Sequence, residues 1–147
     1  MPDSGTNKAS TNTKTIYIVD DEETVRDFFH AFLSKDGFKV VDFKSGTETL
    51  EHLKSKSSKV DLVILDLMMP GRGGYDVLKE LQESQYKGVP IFIVTARHLD
   101  EQATSIFLSE PNVKGFWTKP VVAKTFRDKV HEILGTEPRK TFDDWQG

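Results

Sequence analysis

The chain contains no cysteine, which excludes disulfides and thiolate metal centres. It also has no apolar run approaching the roughly 18 to 20 residues that a membrane span requires. Its opening stretch, MPDSGTNKASTNTK, lacks the charged-then-apolar order of a signal peptide. Basic charge is not in excess either: 20 Lys and Arg stand against 23 Asp and Glu, a net charge of -3. A protein held to nucleic acid by phosphate neutralisation would need a basic surface or stripe, so direct nucleic-acid binding is not expected. At 147 residues and 37% hydrophobic content there is material for one core and no room for a second folded domain. A cytoplasmic, soluble single domain is the expectation.

What is present is an alternation of two hydrophobic periods. Residues 1–13 are mostly Ser, Thr, Asn, Lys and Gly with little to bury, and read as a disordered leader. TIYIV at 15–19 is a short β-branched run, the pattern of a strand covered on both faces. From 22 to 35 the apolar residues Val25, Phe28, Phe29, Phe32 and Leu33 recur at helical spacing, and Gly37 follows. A strand at 39–43 precedes a helix opened by Ser45 and Glu48, which resemble a capping box. The most apolar strand, 60–66, precedes a helix at 74–84. Pro90 starts the next strand, IFIVTA, and a helix with a weak apolar face runs over 98–109. The last strand is expected at 114–118, and the last helix at 122–134 ends on Gly135. Five strands alternating with five helices predict a doubly wound (βα)5 α/β fold with a parallel sheet and helices on both faces. The polar remainder, 136–147, carries Phe142 and Trp145 and reads as a loose tail, the alternative being a segment docked by those aromatics.

Four strand ends carry chemistry. Asp20 and Asp21 close the first strand, Asp66 the third, Thr95 the fourth and Lys119 the fifth, with Pro120 biasing Lys119 toward an extended backbone. In a parallel sheet all of them converge on the edge where open α/β folds keep their sites. Three carboxylates so placed repel one another unless a cation intervenes, and oxygen-only donors suit Mg²⁺ or Mn²⁺. A carboxylate at the rim of a buried strand, such as Asp66, can attack phosphorus and become an acyl phosphate. Lys119 would pair with Asp66 at rest and with a phosphoryl oxygen afterwards, while the Thr95 hydroxyl donates to another oxygen of that group. Singly, each of these residues also fits a solvated loop or a helix cap. Their combination in this order is specific.

With these residues the chain resembles the receiver domain of two-component response regulators, of the chemotaxis-regulator type, over residues 14–135 and through the motifs IVDDEE, VILDLMMPG, VTA and TKP. The resemblance implies a flavodoxin-like sheet of order 2-1-3-4-5. It implies Asp66 as phosphoacceptor, and Mg²⁺ held by Asp21, Asp20, Asp66 and the backbone carbonyl of Met68. Thr95 and Lys119 would contact the phosphoryl group, and Phe116 takes the position of the family's switch aromatic. Met68 and Arg97 fall at the variable positions that tune phosphoryl lifetime, so Arg97 is expected to change it. The implied donor is a phosphohistidine on a sensor histidine kinase or phosphotransfer protein, and the output is partner binding by the face of the fourth helix, fifth strand and fifth helix. Such a protein is a signalling phosphoacceptor that assists its own phosphorylation and dephosphorylation. Arg72, in PGRGG, departs from the family's usual apolar residue.

Thr95 moving toward a phosphoryl group would vacate space for Phe116, a two-state element biased by charge; Phe116 as plain core packing is the alternative. Trp117 is expected in the core. His30, His52, His98 and His131 show no metal-ligand spacing and are expected on the solvated surface. An aspartyl-phosphate hydrolase would need a second Asp where Met68 stands. A nucleotide-binding flavodoxin-like protein would need a loop of backbone donors where DDEE stands. With Met1 ahead of a polar leader, a free-standing regulator is favoured over a piece of a hybrid kinase or larger regulator, or a receiver-like module that takes no phosphate.

Overall fold

The computed structural model describes residues 10–55, 59–69, 74–83, 85–96 and 100–138. Five strands, β1 (Thr15–Val19), β2 (Lys39–Phe43), β3 (Leu62–Leu65), β4 (Ile91–Thr95) and β5 (Val113–Thr118), alternate with five helices. The helices are α1 (Glu23–Lys35), α2 (Gly46–Ser55), α3 (Gly74–Glu83), α4 (Glu101–Leu108) and α5 (Ala123–Leu134). All strand pairs are parallel, in the order β2-β1-β3-β4-β5. This is the expected doubly wound sheet.

The two-residue period of the strands sorts their side chains onto two faces. Tyr17, Val19, Val63, Leu65, Ile91 and Ile93 point to one core, completed by Leu50 and Leu53 of α2 and by Val77, Leu78 and Leu81 of α3. Ile16, Ile18, Leu62, Ile64, Phe92 and Val94 point to the other, with Phe29, Phe32 and Leu33 of α1 and Phe126 and Val130 of α5. β1, β3 and β4 are covered on both sides, which is why their sequences are nearly continuous apolar runs. Edge strand β2 alternates instead, with Lys39 and Val41 exposed. Trp117 packs with its ring centroid 4.7 Å from those of both Phe92 and Phe126, the core position expected for it.

Helix ends follow their local chemistry. Ser45 Oγ accepts from the Glu48 amide at 3.0 Å, and Glu48 Oε1 accepts from the Lys44 amide at 2.8 Å. This is the anticipated box, with its return bond one residue upstream. α4 is shorter than expected because Asp100, not an earlier residue, caps it, accepting from the Ala103 amide at 2.8 Å. Gly135 closes α5 in the left-handed conformation, φ 66°, a geometry that costs glycine nothing.

Three expectations need correction. The ordered chain begins before residue 14: Thr11–Thr13 form a 3-10 turn, Thr11 is buried, and the Lys14 carbonyl accepts from the Lys39 amide at 3.0 Å. It also continues past Gly135, since Thr136 is fully buried. His131 is not on the surface. It is buried between Asp36, which its Nε2 contacts, and Thr136, whose Oγ1 lies 2.7 Å from Nδ1. His52 is half-buried, 3.2 Å from the Tyr17 hydroxyl, while His30 is exposed as expected. A lone histidine on a helix carries no local sign of the carboxylate that will face it from a distant turn. His98, Phe142 and Trp145 lie outside the described residues.

Candidate functional site

The parallel ladder extends one residue past each strand and so seats the site. The Asp20 amide donates to the Phe43 carbonyl at 3.1 Å, and the Asp66 amide donates to the Val19 carbonyl at 3.0 Å. The Lys119 amide donates to the Thr95 carbonyl at 2.9 Å. Together with the β3–β4 pairing these bonds hold the ends of β1, β3, β4 and β5 in register, and their side chains meet at one edge. Asp20, Asp21 and Asp66 offer carboxylate oxygens that all lie within 4.8 Å of one another.

Each buried carboxylate has one oxygen fixed by a backbone amide. Asp20 Oδ1 accepts from the Glu22 amide at 2.9 Å, and Asp66 Oδ1 accepts from the Met68 amide at 3.0 Å. The second oxygen of each faces Lys119, whose Nζ is 2.8 Å from Asp20 Oδ2 and 3.5 Å from Asp66 Oδ2. The contact expected at rest between Lys119 and Asp66 is therefore made, but the shorter one is to Asp20. Burial pushes the Asp20 and Asp66 carboxyls above their ordinary pKa, against the opposing pull of Lys119 and the backbone amides. Burial also works against the Lys119 charge, yet its hydrogen bonds to Asp20 and Glu22 hold its pKa above the ordinary value.

Thr95 is fully buried, and its Oγ1 has no hydrogen-bond partner among the described residues. A buried hydroxyl without a partner is costly, and one at this edge is suited to an oxygen brought in by a ligand. The donor set fits a hard divalent cation: three carboxylates, one of them the exposed Asp21, with no His among the described residues joining the group. Phe116 is half-buried on β5, 6.4 Å ring to ring from Phe107 of α4. Met68 is exposed, whereas Arg72 and Arg97 lie outside the described residues.

Sequence reasoning passed over three participants. Glu22 Oε1 lies 3.1 Å from Lys119 Nζ, and Arg26 Nη1 donates to the Asp20 carbonyl at 2.8 Å. Their closeness in sequence to Asp20 was the available signal. Gly74 is the third: a Cβ there would stand 2.1 Å from the Asp66 carbonyl oxygen, so α3 approaches the acceptor loop as only glycine allows. Beside the acidic pocket runs a groove of about 440 Å³, walled by Val25, Phe28, Phe29, Pro120 and Val121, with Glu22 and Lys119 also lining it.

Comparisons with known proteins bear on the family and the fold. Residues 16–131 match the family model described as the response regulator receiver domain. The transcriptional regulatory protein PhoP for alkaline phosphatase synthesis in Bacillus subtilis is 31% identical over 82% of this chain and 48% of its own length. The CAI-1 autoinducer sensor kinase/phosphatase CqsS of Vibrio cholerae is 29% identical over 82% of this chain but only 17% of its own. The chain thus spans about half or less of these curated relatives. Among solved structures, the response regulator TrrA of Thermotoga maritima, in complex with Mg²⁺-BeF, is 30% identical with a TM-score of 0.69, covering 82% of this chain and 99% of that one.

Proposed function

The chain belongs to the response regulator receiver family, and from that premise we propose that Asp66 accepts a phosphoryl group from a phosphohistidine on a sensor kinase or phosphotransfer protein. The observation that carries this reading is the buried Thr95 hydroxyl, without a hydrogen-bond partner among the described residues, at the same sheet edge as Asp66 and Lys119. Those groups supply a nucleophile, a neutral donor and a cation for one tetrahedral anion.

In the transfer, Asp66 attacks phosphorus, the bond from phosphorus to the imidazole nitrogen breaks, and the released electron pair stays with the donor histidine. The Met68 amide holds one Asp66 oxygen and so fixes the direction of the carboxylate. Lys119, already 3.5 Å from Asp66, moves onto a phosphoryl oxygen, and Thr95 donates to another. Asp20, Asp21, Asp66 and the Met68 carbonyl would hold Mg²⁺ (or Mn²⁺), which when bound neutralises charge on the phosphoryl oxygens. Phosphorylation adds about -1.5 to -2 charges at Asp66. Thr95 following that charge frees room for Phe116, which links the pocket to the α4, β5 and α5 face. That face then engages a downstream protein.

The groove beside Lys119 offers an apolar seat for the donor protein, with Phe28 41% exposed in its wall. The partner proteins are those of a cytoplasmic signalling chain; no helix among the described residues is long and apolar enough to cross a membrane. The test is incubation with Mg²⁺ and a small phosphodonor, reading intact mass. Wild type should gain one phosphate and Asp66→Asn none; a wild type without an adduct overturns the proposal.

A further inference from the structure

Lys119 is claimed by three carboxylates: Asp20 at 2.8 Å, Glu22 at 3.1 Å and Asp66 at 3.5 Å. Its ammonium is shared among three carboxylates, with hydrogen bonds to Glu22 and Asp66 and an ion pair to Asp20, so an incoming phosphoryl oxygen competes with them for it. Lys119 turns to that oxygen more readily when one of these contacts gives way. The Asp20 carboxylate is 4% exposed and makes the shortest contact, whereas the Glu22 side chain is 55% exposed. An ion pair with one partner in water is weak and easily exchanged for solvent, so the Glu22 contact is the one that opens first. Glu22 is also outside the group of carboxylates close enough to share a cation.

We infer that Glu22 is a positioning residue, a releasable anchor that holds Lys119 short of Asp66 in the resting protein and so restrains phosphorylation. This rests on the reading of Asp66 as acceptor. Without the anchor, Lys119 can lean toward Asp66 and the incoming group without breaking the Glu22 ion pair, held only by Asp20.

The variants Glu22→Gln and Glu22→Asp separate this role from plain charge. Gln removes the charge; Asp keeps it on a side chain one methylene too short to hold Nζ in the same place. Phosphorylation by acetyl phosphate and by phosphoramidate, at saturating Mg²⁺, is followed by intact mass. Both variants should react faster than wild type, by roughly two- to five-fold, the scale of a weak surface ion pair, and with both donors. If Glu22→Asp reacts at the wild-type rate while Glu22→Gln is faster, the effect is charge steering of the anionic donor and the inference fails. Equal rates for all three proteins also overturn it. A wild type that takes no phosphate would instead sink the acceptor reading itself, so the two failures are distinct.

Discussion

The Asp36 carboxylate and the His131 imidazole meet inside the protein, joining the turn after α1 to the last turn of α5 at the sheet edge opposite the acidic pocket. Arg127 Nη1 lies 3.9 Å from the other Asp36 oxygen, and Thr136 Oγ1 bonds the far side of the ring at 2.7 Å. Removing the imidazole would take from the buried Asp36 carboxylate and from the Thr136 hydroxyl the ring nitrogens that they contact. His131→Leu should therefore cost about 2 to 4 kcal/mol of unfolding free energy. Urea denaturation measures this, and a loss below about 1 kcal/mol would show that the network contributes little. Because the network is remote from Asp66, the folded variant should accept phosphate from a small donor at the wild-type rate.

The pocket has the opposite effect on stability. Burial raises the folded-state pKa of Asp20 and of Asp66 above the ordinary 3.8. Over the pH range between 3.8 and the raised values the folded chain binds more protons than the unfolded one. The contribution of these two groups to the stability of the metal-free protein then falls as pH rises through that window, and it is fully lost above it. Asp66→Asn removes one of the two costs, so in EDTA near neutral pH its thermal midpoint should exceed that of wild type. Mg²⁺ should raise the wild-type midpoint more than that of the variant. An Asp66→Asn protein whose midpoint in EDTA does not pull ahead of wild type as pH rises from 4 to 7 would contradict this.

Much of this was legible in the sequence because it rests on short-range signals. The period switch between TIYIV and the Val25, Phe29, Phe32 series marks strand and helix, and the parallel topology brings the strand ends together wherever they lie in the chain. Asp20, Asp66, Thr95 and Lys119 meet for that reason. What escaped depends on tertiary neighbours. His131 needs Asp36, 95 positions away, to become a buried residue. Glu22 looks like a first-turn acid until Lys119 arrives from 97 positions away. That Gly74 of PGRGG is sterically required is set by where α3 crosses the Asp66 backbone, not by the motif.

That crossing makes a prediction of unusual sign. At an exposed helical position Gly→Ala stabilises by up to about 1 kcal/mol. At Gly74 the new methyl would lie 2.1 Å from the Asp66 carbonyl oxygen and 2.7 Å from Leu67 Cα, both backbone atoms that cannot rotate away. Gly74→Ala should instead lose about 1 to 3 kcal/mol. The displaced loop carries Asp66 and the Met68 amide that orients it, so phosphorylation by a small donor should slow as well. Denaturation and intact-mass kinetics on one preparation test both; an alanine variant as stable and as fast as wild type would mean that α3 can shift without disturbing the acceptor.

Phe28 separates the two ways phosphate can arrive. Its ring stacks edge-on with Phe29 at 5.3 Å and Phe32 at 5.1 Å, yet 41% of it faces solvent in the groove beside Lys119. Truncating it leaves Phe29 and Phe32 buried, so the fold should hold, with a cost well below the 3 to 5 kcal/mol of a buried phenylalanine. A small donor needs only the pocket, and Phe28→Ala should react with acetyl phosphate at the wild-type rate. On the proposed reading a protein donor seats its own apolar surface in this groove against α1, and loss of an aromatic anchor at such a contact is worth about ten-fold or more in affinity. With a phosphotransfer protein that phosphorylates the wild type, Phe28→Ala should show a raised half-saturating donor concentration and little change at saturation. Equal half-saturation for the two proteins would place the donor on another face.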